Sequence, residues 1–173
     1  LGMDESGPVE VKSAGPDAKR GAQLIYADGT VLTHGEGKGV SFYGTDGEIH
    51  VNRGKFELVL GGKVIQRFFS KEEDKGTSLE RAYTLAEREY LKDAKVKLYD
   101  SKNHHDDWLN SIKTRERPIC DVAIGATTVI SCHLMNMAYW HGASFKWNPT
   151  ERTFASGGDP KWLTREYRGD WVV

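Results

Sequence analysis

Between Gly39 and Ile65 the chain reads GVSFYGTDGEIHVNRGKFELVLGGKVI, and this stretch limits its folding options more than any other. Asp46-Gly47 and Gly61-Gly62 divide it into strand-length pieces. Such dipeptides take the positive φ that tight hairpin turns require. Between the turns, apolar residues alternate with polar ones: Val40 and Phe42, Ile49 and Val51, Phe56, Leu58 and Leu60, then Val64. A period of two sends successive side chains to opposite faces of a sheet. The pattern therefore predicts antiparallel strands with one face buried and the other open to water or a partner.

The flanking segments extend this reading. Val9-Glu10-Val11 predicts a short strand, and Leu24–Tyr26 with Thr30–Leu32 a hairpin turning at Asp28-Gly29. Gly35-Glu36-Gly37-Lys38-Gly39 falls one glycine short of the dinucleotide fingerprint, because Val40 stands at the third position. It also leads into a strand pattern rather than a helix, so it reads as a flexible connection. Ser78 to Asp93 predicts a helix with Thr77 or Ser78 as its cap, and Lys95–Tyr99 a short strand. A second helix follows within Asp100–Arg117, capped by Ser101 or Asn103 and stopped by Pro118. Gly125–His141 predicts a longer helix ending at Gly142, suited to cover the apolar face of the sheet. Phe145–Trp147 and Thr153-Phe154 predict two more strands around Asn148-Pro149. Residues 159–173 form a C-terminal arm whose Trp162, Tyr167 and Trp171 are expected to dock on the body or on another subunit. With hairpins first and helices after, residues 1–173 are expected to form a single α+β domain: a mostly antiparallel, open-faced sheet with helices packed on one face.

Composition narrows function by exclusion. The 173 residues carry a net charge of -1, so no overall field favours nucleic acid or an anionic membrane. No uninterrupted apolar run of about 18 residues is present, so no spanning helix is expected. The N-terminus lacks the pattern of a signal peptide, and a cytoplasmic or, after signal removal, periplasmic location fits equally. Cys120 and Cys132 form no CxxC pair and are expected as unpaired thiols. His104-His105-Asp106-Asp107 groups four candidate ligands, but neighbours on a helix point about 100° apart, so no metal site is expected. His104 and His105, at a helix start, are candidates for a substrate pocket, because imidazole exchanges a proton near neutral pH. Arg53, after the Ile49–Val51 strand, is a candidate clamp for an anion or polyol.

Two stretches also carry a family resemblance. GVSFYGTDGEIHVNRGKF resembles the central strands of the C-terminal domain of the Gfo/Idh/MocA oxidoreductases, the glucose–fructose oxidoreductase and inositol dehydrogenase group. NHHDDWLNSIKTRERPICDVAIGATTVISCHLMNMAYWHGASFKWNP resembles that domain's closing helices. The shared order is His105, Trp108-Leu109, Arg115 with Arg117, Pro118, Gly125 and Trp147, and Tyr167-Arg168 with Trp171 fit the bacterial branch. The likeness spans nearly the whole chain.

The resemblance implies a domain that shapes a sugar or polyol pocket and joins a homo-oligomer through its open sheet face. It implies NAD or NADP for a full-length parent, bound by a Rossmann domain, with an Glu-Lys-Pro lysine and an Asp/His pair upstream managing the proton. None of those motifs is in this sequence, and Leu1 falls roughly where the catalytic helix of the family would end. The chain is thus expected to be an excised domain, a remnant or a stand-alone derivative that holds no cofactor and transfers no hydride alone. No catalytic residue is assigned. Two other readings compete: a non-enzymatic binding or assembly module, and a cofactor-free sugar lyase or hydrolase using His104 or His105 as base.

Overall fold

The structure, a computed structural model, describes residues 2–37, 39–69, 78–97, 99, 101–166 and 169. The fold is α+β, with two antiparallel sheets and three α-helices, and the chain divides into two compact units. Unit 1 comprises Leu1–Gly35 and Asp100–Val173, and unit 2 comprises Glu36–Tyr99. The successive hairpins expected to share one sheet therefore belong to two.

Unit 1 is built from strands β1 (Glu10–Lys12), β2 (Gln23–Ile25) and β3 (Val31–Thr33), joined by two that come late in the sequence. In unit 2 lie β4 (Val40–Tyr43), β5 (Gly47–Asn52), β6 (Lys55–Leu60), β7 (Lys63–Phe69) and helix α1 (Leu79–Tyr90). The chain then returns to unit 1 through α2 (His104–Thr114), α3 (Val122–His141), β8 (Phe145–Asn148), β9 (Thr153–Ser156) and a 3-10 turn, Pro160–Leu163. The first sheet has the order β3-β2-β1-β8-β9. Its central strand is β1, where Val11 sits opposite Leu24 on one side and Phe145 on the other.

The long helix α3 packs on β1 and β2, not on the Gly39–Ile65 strands it was expected to cover. Leu134 and Ala138 meet Val11, Leu24, Phe145 and Trp147 there, forming one closed core. α3 contains no Asp, Glu, Lys or Arg and, contrary to the expectation of no spanning helix, is by length and composition alone long and apolar enough to cross a bilayer. Its ends are chemically explicit. Asp121 accepts hydrogen bonds from the Ala123 and Ile124 amides, and Gly142 leaves the helix at φ 60°. Asn103 caps α2 in the same way, and Arg115 closes that helix in the left-handed region before Pro118 is reached. The Trp162 ring stacks on His141 at 3.9 Å and meets Phe154 edge-on, so this aromatic of the C-terminal arm docks on the body of unit 1. Tyr167 and Trp171 lie outside the described residues.

Unit 2 is a meander of order β4-β5-β6-β7. Phe56, Leu58 and Phe68 share a face with Ala82 and Ala86 of α1, and small alanines let the helix approach the sheet closely. Ser78 caps α1 through the Arg81 amide. The opposite face carries one cross-strand row, Ser41, His50, Glu57 and Arg67. His50 bonds Ser41 Oγ at 2.7 Å and Glu48 Oε2 at 3.1 Å, and Arg67 lies 4.1 Å from the Phe69 ring centroid. Gly61 and Gly62 make the expected turn at φ 55° and 76°. Gly47 differs from expectation. It is the first residue of β5, the turn being Gly44–Asp46, and a Cβ there would collide with the Val59 carbonyl oxygen. Its glycine is required by close approach, not by φ. Lys95–Lys97 and Tyr99 are not in a strand, and Leu98 lies outside the described residues.

Candidate functional site

Unit 1 holds a cavity of about 450 Å³, walled by the N-terminal segment, the first turns of α3 and the turn between β8 and β9. Why these pieces meet follows from the sheet. Pairing of β1 with β8 draws Trp147 beside the N-terminal segment, where its amide donates to the Val9 carbonyl at 2.9 Å. The Trp147 ring is only 5% exposed, held edge-on by Phe154, and presents a fixed aromatic wall. Ile124, Ile130 and Pro149 extend that apolar side.

The other side is polar. Arg117 crosses from the segment after α2, its Nε bonded to Asp121 and its Nη1 to Glu5 Oε1 at 2.9 Å. Asp121 also caps α3, so one carboxylate ties the loop to the helix start. The Arg117 hydrogen bond, then the amide of Ile124, lowers the Asp121 pKa to about 2. The same pairing, with Glu5, raises the Arg117 guanidinium above its ordinary value. Arg152 is different. The Asn148 carboxamide oxygen accepts from the amides of Thr150 and Glu151, shaping a turn that sets Arg152 in the left-handed region at φ 53°. Its guanidinium has no side-chain partner among the described residues.

Such a cavity suits a polyhydroxylated ring. An aromatic or aliphatic wall receives the C–H face of a sugar, while carboxylates accept from its hydroxyls and guanidinium groups donate to its oxygens. Asp4 and Glu5 supply the first kind of group and Arg152 the second.

The residues singled out from sequence lie elsewhere. His104 and His105 are exposed in the first turn of α2, their ring centroids 4.1 Å apart, and neither lines this cavity. The His105 amide donates to Asn103 Oδ1, so its backbone serves the cap. Arg53 sits in the turn between β5 and β6 of unit 2, exposed, its own amide bonded to Asn52 Oδ1. The three are thus divided between the units. Sequence reasoning missed Asp121 and Arg152. Asp121 had a signal, an acidic residue just before a long apolar helix and four beyond Arg117; Arg152 had none, because its place depends on a turn conformation. Among the described residues, no three His, Cys, Asp or Glu side chains converge as a metal site would require. Comparison with protein-family models, with curated proteins and with solved structures finds no match to this chain.

Proposed function

We propose that this chain is the sugar- or polyol-binding and assembly part of an NAD(P)-dependent oxidoreductase. The observation that carries the reading is the amphipathic cavity of unit 1, with Trp147 on one wall and Arg152, which has no side-chain partner among the described residues, on its rim. The resemblance of the two long stretches to the glucose–fructose oxidoreductase and inositol dehydrogenase group supports the same substrate class. The nucleotide belongs to another domain in this account. Gly35–Gly39 runs into β4, a strand, so no helix N-terminus follows it to meet a pyrophosphate. These residues do not fit a dinucleotide, and hydride transfer is not assigned to them.

Isothermal titration of the chain with glucose, fructose and myo-inositol tests the reading, with NADH as the contrast. At least one polyol is expected to bind with a Kd on the order of 1 mM, a typical affinity for a small polar ligand, and Arg152→Ala to weaken it about tenfold. NADH is expected not to bind. Absence of binding by every polyol, or tight NADH binding, contradicts the reading.

The assembly half of the proposal rests on unit 2. Its helix packs on one face of the sheet; on the other, Tyr43 and Arg67 are exposed beside a row in which His50 and Glu57 are buried. A second copy of the chain is the expected occupant of that face. Sedimentation equilibrium is expected to show a dimer or larger that Arg67→Glu weakens; a monomer at high concentration refutes it.

A further inference from the structure

A second cavity of about 280 Å³ lies between α3 and the β2–β3 hairpin of unit 1, and it shares Asp4, Ser6 and Thr127 with the first. Its character is opposite. Leu24, Tyr26, Leu32 and Met135 form its apolar wall. The helix hydroxyls that line it already donate within the protein: Thr127 Oγ1 to the Ala123 carbonyl, Thr128 Oγ1 to that of Ile124, and Ser131 Oγ to that of Thr127, all within 3.1 Å. Ser6 Oγ points to Met3 Sδ at 3.3 Å. What remains for a ligand is mostly hydrocarbon and sulfur, with the Tyr26 hydroxyl at one side and the Asp4 carboxylate on the wall shared with the first cavity. Leu32 is 47% exposed at the mouth, so an occupant would remove apolar surface from water on both sides.

We infer that the two cavities form one binding site for a glycoside carrying an apolar aglycone, the sugar against Trp147 and Arg152 and the aglycone between Leu32 and Met135. The inference rests on the sugar-binding reading above and specifies its substrate class. A free sugar would fill only the polar chamber and leave the apolar one to water that finds few partners there. A purely apolar molecule would leave Arg152 and Asp4 unused. Only a ligand with both parts matches the shared wall, where Thr127 separates the polar chamber from the apolar one.

The test compares methyl β-glucoside with phenyl β-glucoside, and the corresponding galactoside pair, by isothermal titration of the full chain. The phenyl compound is expected to bind about tenfold tighter, the gain from burying several tens of Å² of apolar surface. Leu32→Asp, on an exposed edge strand, is expected to erase that advantage, so that the phenyl and methyl glycosides bind alike. Cys132→Phe, which fills the chamber from its exposed rim, is expected to do the same, so the result does not depend on one variant folding. Equal affinities for methyl and phenyl glycosides, with sugar binding intact, overturn this inference and leave the sugar-binding reading standing. A phenyl advantage that survives both variants overturns it as well. Failure of every glycoside and every free sugar to bind removes the sugar-binding reading, and this inference falls with it.

Discussion

The two units solve the same problem by different routes. Each covers one face of an antiparallel sheet with a helix, yet unit 2 is a single run of chain, Glu36–Tyr99, whose neighbours in the sheet are neighbours in sequence. Unit 1 is assembled from two distant segments, and its central strand β1 pairs with β8, so that Glu10 lies opposite Lys146. The local meander pairs each strand with its neighbour in sequence. The non-local assembly leaves seams where loops from different parts of the chain meet, and both cavities described above lie on those seams. Clefts form where elements are brought together from afar, and residues there are freed from strand pairing to face a ligand.

Removing one buried leucine from each unit probes this contrast with the largest expected effect. Leu134→Ala in α3 and Leu58→Ala in β6 both empty fully buried positions and are each expected to cost about 2–5 kcal/mol in chemical denaturation. Hydrogen exchange is expected to show lost protection in β1, β2 and β8 for the first and in β5, β6 and β7 for the second. Protection lost equally in both sheets for either variant breaks the division into units.

Gly47→Ala sharpens the account of unit 2. A methyl group at this position meets the Val59 carbonyl oxygen at a distance no relaxed pair adopts, so β5 and β6 must separate. A loss of about 1–3 kcal/mol is expected, typical of overpacking. Gly61→Ala, open on all sides but at φ 55°, is expected to cost less, about 1 kcal/mol. An equal cost at the two positions means that Gly47 is a turn residue after all.

The smallest effect concerns the seam of unit 1. Asp121 has its folded pKa held at about 2, below the ordinary carboxylate value of about 3.9. A depressed pKa stabilises the fold above the unfolded value, and that contribution is lost as pH falls through the folded one. The melting-temperature advantage of the native chain over Asp121→Asn is therefore expected to be constant above about pH 4 and to shrink towards pH 2. Arg117 is exposed and Asp121 half-buried, so salt screens the pair in part, the difference is modest, and 1 M NaCl is expected to reduce it. An advantage that grows on acidification reverses the sign of the account.

How far the sequence foretold all this follows from the same contrast. The caps Ser78, Asn103 and Gly142 were legible because capping depends on a residue and its next few neighbours. The turn at Gly61-Gly62 was legible for the same reason. The pairing of β1 with β8 was not, since alternation reports that a strand has a buried face but not which strand lies beside it. The helix expected over Gly39–Ile65 went to the other sheet for this reason. At the site, His104, His105 and Arg53 drew attention as reactive types, whereas the cavity is made by Trp147 and Arg152, whose positions are set by a long-range pairing and a left-handed turn. Arg117 stood out within the family-like stretch, but its bonds to Asp121 and Glu5 are contacts that a linear pattern does not record.

The central claim is that the seam of unit 1, and not the sheet of unit 2, receives the sugar. Backbone amide NMR of the labelled chain, titrated with a glycoside, reads this directly. Shifts are predicted for Ser6, Gly7, Ile124, Thr127 and Arg152, with His50, Arg53 and Glu57 unmoved. Shifts centred on His50 or Arg53, with the amides of Thr127 and Arg152 silent, would contradict it.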